Sequence, residues 1–214
     1  MQAMKFRIFL IFVLLSAALL PAFEYEVKTV KVLPIESYPA RATASGITIA
    51  VDPFVTNERS FTAFDVKNLN SNGYFPIHII VRNDSTTFIT FVTREIVLIT
   101  SDAQQLYSTP AAVVVDDVFR SGISSRIPLI KAHDPSKSSR MGSPLDDFTN
   151  KDITNKVVDP GSVADGFLFF YNPEPKKNLF AGSTLYIPKV EEEGTHKRMG
   201  PFSIPLDPAM PKSK

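Results

Sequence analysis

The stretch VVDPGSVADGFLFFYNPEP (residues 157–175) decides the fold, because it carries an apolar run of five residues, FLFFY, between two turns. Asp159-Pro160-Gly161-Ser162 has the chemistry of a turn before the run, and residues 173–178 have it after the run. In a β-sandwich, a strand covered on both faces reads as an uninterrupted apolar run. We therefore expect this run to be a central strand. The alternative is an exposed aromatic surface that binds a ligand.

The period of a strand assigns each residue of this run to one face of the sheet. Phe167, Phe169 and Tyr171 face one side, and Leu168 and Phe170 face the other. Each side of this strand therefore needs a cover of its own.

Other segments show the same period. YFPIHIIVRND (residues 74–84) gives the strongest pattern, and GITIAVDPF (residues 46–54) alternates up to Asp52-Pro53. The face predicted to be apolar in the first segment consists of Phe75, Ile77, Ile79 and Val81. About seven to nine strands separated by turns, without a β-α-β rhythm, predict an all-β (mainly) sandwich.

Helical spacing appears in three places. TPAAVVVDDVFRSG (residues 109–122) has apolar residues at i, i+3, i+4, i+7 and i+8, with Thr109 as N-cap, Pro110 at the first helical position and Gly122 as the stop. Residues 57–66 and the Ser143-capped SPLDDFTNK predict shorter helices. The sequence thus predicts one or two short helices in a long crossover, with a polar insertion at residues 121–155.

The N-terminus has the pattern of a secretory signal peptide. Lys5 and Arg7 precede IFLIFVLLSAALL (residues 8–20), and small residues follow it. The expected domains are a signal peptide at 1–22, one β-sandwich domain at 23–206 and a disordered tail at 207–214. We expect export to the periplasm or the extracellular space. If the signal is not cleaved, it forms an N-terminal membrane anchor; once it is cleaved, no membrane span is expected.

Composition removes several functional classes. The chain has no cysteine, which excludes thiolate metal sites, cysteine nucleophiles and a lipid anchor on cysteine. Its formal net charge of +1 gives no field that attracts nucleic acid. Phosphate-binding glycine loops and dinucleotide fingerprints do not occur.

The search for catalytic and metal-binding groups yields no constellation. The three histidines are His78, His133 and His196, and no pair of them has metal-ligand spacing. His78 is expected on a sheet surface, and the acid pairs Asp116-Asp117 and Asp146-Asp147 on solvated surfaces. No catalytic residue, metal or cofactor is predicted.

The order of these motifs resembles a known group of domains. GYFPIHIIVRNDS, FVTREIVLITSDAQQLY, VVDPGSVADGFLFFYNP and LFAGSTLYIPKV together resemble the immunoglobulin-like β-sandwich domain of uncharacterised bacterial exported proteins and lipoproteins. They are more distantly similar to the late-embryogenesis-abundant type-2 sandwich. The resemblance covers residues 46–190 and implies a fold and an envelope setting. It implies no active-site residue.

Three functional hypotheses follow. The leading one is a secreted, non-enzymatic cell-envelope protein with a structural or protein-binding role, whose partner is another envelope protein. Its contact surface is an open sheet edge, YEVKTVKV (residues 25–32) or PFSIPL (residues 201–206), or the polar insertion.

The second hypothesis is a periplasmic carrier of an apolar ligand such as a lipid. The candidate ligand-binding residues are the aromatic side chains of a cavity between the sheets: Phe75, Phe91, Phe167, Phe169 and Phe170. The third is a hydrolase that uses His133 and the acid pairs. The oligomeric state is left open.

Overall fold

The computed structural model describes residues 25–92, 95–121, 143–175 and 178–210, without the side chains of residues 120 and 121. The predicted signal peptide, His133 and the last residues of the tail lie outside these ranges.

Twelve strands form in the described part of the chain. They are β1 (Ala40–Ala44), β2 (Ile47–Pro53), β3 (Tyr74–Asn83), β4 (Ile89–Phe91), β5 (Val97–Ile99), β6 (Gln105–Thr109), β7 (Val157–Val158), β8 (Val163–Tyr171), β9 (Thr184–Ile187), β10 (Val190–Glu192), β11 (Arg198–Met199) and β12 (Phe202–Pro205). The predicted all-β class is confirmed. The count exceeds the predicted seven to nine because several strands have only two or three residues, too few to show a period.

The larger sheet has eight strands in the order β1-β2-β3-β8-β6-β5-β9-β12, and every neighbouring pair in it is antiparallel. Strand β6 joins its two halves, since Ser108 and Thr109 pair with β8 while Gln105 to Tyr107 pair with β5. The two outermost strands, β1 and β12, lie against each other. The sheet therefore curls until its edges meet.

The smaller sheet has four strands in the order β11-β10-β4-β7. Its apolar side chains pack against one face of the larger sheet. The resulting core between the sheets includes Ile89, Val158 and Val190 from the smaller sheet, and Ile77 and Phe170 from the larger one.

Strand β8 is the central strand that the opening stretch predicted. Leu168 and Phe170 lie in the core between the sheets, whereas Phe167 and Phe169 lie in a second core on the opposite face. These four side chains are at most 2% exposed, whereas Tyr171 at the strand end is half exposed. The two-sided burial is confirmed.

Three α-helices form in the described ranges. They are α1 (Asn57–Phe61), α2 (Ala111–Ser121) and α3 (Pro144–Lys151). Helices α2 and α3 and the segment after α1 cover the second core. Thr56 and Ser143 cap α1 and α3 by accepting hydrogen bonds from the backbone N–H groups of Arg59 and Asp146. Sequence predicted one or two helices in the crossover; α2 and α3 both lie there, and α1 is shorter than the predicted 57–66.

Helix α2 matches its predicted apolar face but begins later than expected. The carbonyl of Pro110 accepts the first helical hydrogen bond from the Val114 N–H, so that Pro110 takes the capping place predicted for Thr109. Ala111, Val114 and Val118 are buried against β8.

The second half of the predicted polar insertion is part of the folded domain. Phe148 of α3 is fully buried, and Ile153 lies in the core between the sheets. Residues 122–142 of the insertion lie outside the described ranges. Asp207–Ala209, predicted as the start of a disordered tail, forms a 3-10 helix.

In the part of the chain described here, no helix has the length and hydropathy needed to cross a membrane.

Candidate functional site

Two pairs of ionisable side chains, Asp147 with Lys151 and His78 with Asp165, lie at one open pocket of about 470 Å³, which we call the polar groove. Its walls are residues 27–30 before the first strand, the inner side of α3, and Asp165 and Phe167 of β8. Among the sequence-predicted candidates, only Phe167 and the acid pair Asp146-Asp147 line this groove.

Asp147 is the centre of one side of the polar groove. It is buried. It accepts a hydrogen bond of 2.6 Å from the Tyr25 hydroxyl and forms an ion pair of 2.7 Å with Lys151. Lys151 also donates to the carbonyl of Ala63 at 2.7 Å. Burial raises the pKa of Tyr25, and burial lowers the pKa of Lys151 despite its carboxylate partner. The expectation that Asp147 is solvated was wrong.

His78 and Asp165 form the other side. Their Nε2 and Oδ2 atoms are 2.8 Å apart, and the imidazole stacks on the ring of Phe167 with 4.7 Å between centroids. The hydrogen bond from His78 holds the pKa of the Asp165 carboxyl below its usual value. His78 is 1% exposed, so its predicted place on a sheet surface was wrong. Phe54 and the segment after β2 cover that face.

In the polar groove, Asp147 is therefore paired with Lys151, and Asp165 with His78. Within the described ranges, no three His, Asp or Glu side chains are close enough together to hold a metal ion. The pairs join segments that are distant in sequence: Tyr25 to Asp147, and Lys28 to Asp65 at 3.3 Å. We interpret these contacts as structural, because they hold residues 25–30 against the helical layer.

A second, smaller pocket of about 150 Å³ lies between residues 100–106 and residues 172–179. Asn172 is one of its polar lining residues, and both ends of its amide bond the backbone of Glu174. This polar group is thus used to shape the turn.

The strongest candidate for a binding surface is an open face of the larger sheet. In the half formed by β6, β5, β9 and β12, cross-strand registers align side chains in rows. One row consists of Tyr107, Val97, Tyr186 and Ser203; the next consists of Gln105, Ile99, Thr184 and Pro205. Continuing the pairing of Ser108 with Phe170 places Tyr171 of β8 beside Tyr107. We call these nine residues the tyrosine face.

The tyrosine face is open because the same four strands pack in the core only with their opposite side, and the helices lie elsewhere on the sheet. A third row lies between these two rows, and its side chains point to the core. It consists of Leu106, Leu98, Leu185 and Ile204. The helices cover the neighbouring half of the sheet, where Phe167 and Phe169 lie. Tyr107 is 59% exposed and Tyr171 is 47% exposed. All nine residues of the tyrosine face are described, and none carries a charge.

The ring of Tyr171 is held in place by its neighbours. It packs on the ring of Tyr74 with 5.2 Å between centroids, and the Tyr74 hydroxyl donates to Asp117 of α2. Gly73 has φ +88°, and a Cβ there would lie 2.9 Å from the Tyr171 ring. The glycine therefore permits both the turn and the close packing of the ring.

The five phenylalanines proposed as cavity lining do not come together. Phe75, Phe91 and Phe170 belong to the core between the sheets, and Phe167 and Phe169 to the core under the helices. The sheet itself separates the two groups.

The proposed sheet edges have different outcomes. Residues 25–32 form no named strand, so YEVKTVKV is not a sheet edge. PFSIPL does form the last strand, β12, but that strand lies against β1. Sequence reasoning missed the tyrosine face, since QLYST and TLYI carry one tyrosine each and show no local pattern of an exposed row.

Searches among known protein families and among curated proteins find no match to this chain. Among solved structures, a functionally unknown protein from Listeria monocytogenes EGD-e aligns with 85% of this chain and 83% of its own, at 12% identity and a TM-score of 0.35.

Proposed function

We propose that this protein is exported to the cell envelope and works there by binding another envelope component through the tyrosine face, without catalysis. One observation carries the proposal: Tyr107 and Tyr171 lie exposed, in line with buried Val97 and half-buried Tyr186, on an uncharged face of strands whose other side packs in the core. Tyrosine combines a large apolar ring with a hydrogen-bonding group, which suits it to recognition surfaces.

Export is the expected setting because of the N-terminal sequence. Lys5 and Arg7, the apolar residues 8–20 and the small residues after them form the pattern of a signal peptide. The absence of cysteine from the chain fits a compartment in which free thiols oxidise.

A binding role is favoured over catalysis because the buried ionisable groups serve structural contacts. Asp147, Lys151, His78 and Asp165 are paired within the fold. The alternative of an apolar-ligand carrier has less support, since the candidate phenylalanines fill two separate cores.

Site-specific labelling of the tyrosine face tests the proposal directly. The chain lacks cysteine, so Tyr107→Cys introduces a single thiol at an exposed position of this face. The matched control is Val163→Cys on β8, where the native side chain is 54% exposed and is not one of the nine residues. Both variants are expressed in the native cell, and the rate of maleimide labelling is compared between intact envelopes and purified protein.

We expect Tyr107→Cys to label several-fold more slowly in the envelope than after purification, because its partner covers it, and Val163→Cys to label at a similar rate in both. Equal rates for the Tyr107 variant in the two samples contradict the proposed binding face. Labelling by an impermeant maleimide in intact cells also reports on export.

A further inference from the structure

We infer that the ligand of the tyrosine face is a neutral glycan chain, made of β-linked pyranose rings, that lies across the strands along the tyrosine row. This inference rests on the proposed binding function and names the chemical class of its ligand. It follows from the chemistry of the side chains, their spacing and the charge of the surface.

The side chains of this face match the two kinds of surface on a pyranose. A pyranose ring presents axial C–H groups on its faces and hydroxyl groups around its edge. The rings of Tyr107 and Tyr171 offer flat apolar surfaces for the C–H groups. Thr184, Ser203 and Gln105 offer hydroxyl and amide groups that both donate and accept hydrogen bonds.

The spacing of the tyrosines favours a chain over a compact ligand. Tyr107 and Tyr186 lie in one cross-strand row on β6 and β9, with β5 between them. Two strand spacings separate their backbones by roughly 10 Å. That separation is comparable to the length of a disaccharide unit in a β-linked chain. Tyr171 extends the row by one more strand.

The charges favour a neutral ligand. None of the nine residues is ionisable at neutral pH, although 21% of the chain is charged. In the nearby cluster of Lys189 with Glu95 and Glu191, the single cation is paired with two carboxylates at 3.1 and 2.9 Å, so these three groups carry a net negative charge. An anionic polymer therefore finds no cation in the row, and a polar neutral polymer loses no ion hydration by binding there.

The ring of Tyr171 is held in position before any ligand binds. Because Tyr171 is held by Tyr74 and by the backbone at Gly73, its ring needs no ordering when a ligand binds. Ordering of flexible side chains lowers affinity, so a fixed platform favours weakly held ligands such as sugars.

Intrinsic fluorescence provides the test, because the chain contains six tyrosines and no tryptophan. The probes are the hexasaccharides of β-1,4-linked N-acetylglucosamine and of β-1,4-linked glucose, with polygalacturonate as the anionic control. Tyrosine emission is followed during titration of the purified protein, and calorimetry gives the Kd.

We expect at least one neutral hexasaccharide to bind and to change the emission, and polygalacturonate to give no change. Tyr107→Ala and Tyr186→Ala each weaken binding about tenfold, the size expected for losing one stacked ring. Tyr107→Phe keeps most of the affinity, because the ring is retained. The control Phe88→Ala removes an aromatic side chain that is 51% exposed outside the face, and it leaves the Kd unchanged.

Two results overturn the inference. If neither hexasaccharide binds while Tyr107→Cys is still protected in the envelope, the partner is of another class, such as a protein, and the proposed binding face stands without the glycan. If a hexasaccharide binds equally well to the Tyr107→Ala, Tyr186→Ala and native proteins, the sugar binds elsewhere.

Discussion

Replacing Phe148 by alanine tests whether the second half of the polar insertion belongs to the folded core. Phe148 is fully buried in α3, and its ring lies 4.3 Å from that of Phe64 and 5.5 Å from that of Phe169. Truncation removes the whole apolar side chain, both ring contacts and the filling of that space. A loss of this kind lowers the free energy of unfolding by about 3–5 kcal/mol.

Leu145→Ala is the matched control for this prediction. Leu145 lies on the same helix, but its side chain is 45% exposed. Only part of its surface is buried, so we expect its truncation to cost about 1 kcal/mol or less. The difference between the two variants mainly reflects the packing of Phe148 against Phe64 and Phe169.

The assay is urea unfolding followed by circular dichroism, with both variants analysed at the m-value of the native protein. We expect the midpoint to fall far more for Phe148→Ala than for Leu145→Ala. If both variants lose less than about 1 kcal/mol, α3 does not pack on the sheet as described, and the second core must be reconsidered.

Four further results are expected. Tyr25→Phe lowers the free energy of unfolding by about 1–2 kcal/mol, because it removes the hydroxyl that donates to buried Asp147. The pKa of Asp165 is lowered in the folded state, so its stabilising contribution is present above about pH 4 and is lost as the pH falls through the folded pKa; Asp165→Asn therefore flattens the acid limb of the stability curve. Gly166→Ala destabilises the fold, because its Cβ would lie 2.8 Å from backbone atoms of residues 151 and 153. For protein purified from its own envelope, denaturing mass spectrometry gives a mass that lacks the signal peptide, and native mass spectrometry gives a mass without bound lipid.

Each of these results has a control or a contrary outcome. Tyr171→Phe alters a half-exposed hydroxyl and should leave stability unchanged, so equal losses for both tyrosines would count against the Tyr25 contact. Identical acid limbs for native protein and Asp165→Asn contradict the role of the His78 hydrogen bond. Gly161→Ala meets open space and strains only a positive φ, and it should cost less than Gly166→Ala. A lipid-sized mass that vanishes on denaturation would revive the carrier hypothesis.

The sequence predicts the central parts of this fold because long strands show their period. Strands β3 and β8 are ten and nine residues long, and their two faces follow directly from alternation. Helix α3 was found through its Ser143 cap, a local signal that needs no tertiary information. Strands β7 and β11, of two residues each, have no such signal and form only because neighbours supply their hydrogen bonds.

The candidate site was less predictable because it depends on what covers each part of the sheet. His78 and Tyr107 both lie in strands with an alternating pattern. Phe54 and the segment after β2 bury His78, whereas Tyr107 stays exposed. The alternation along a strand predicts on which face of the sheet a residue lies, but not which segments cover that face. The tyrosine face follows from long-range pairing of β6, β5 and β9, which no local pattern contains.

The meeting of β1 and β12 has a consequence for how the chain folds. Residues 40–44 pair with the adjacent strand β2, but their contact with β12 needs residues 202–205, and Tyr25 must wait for Asp147. Contacts between such distant parts of a chain form late and slow the folding of β proteins. An incomplete chain thus lacks both the contact of β1 with β12 and the hydrogen bond of Tyr25 to Asp147. We expect this protein to stay unfolded until nearly all of it has emerged, a property that is compatible with the proposed export.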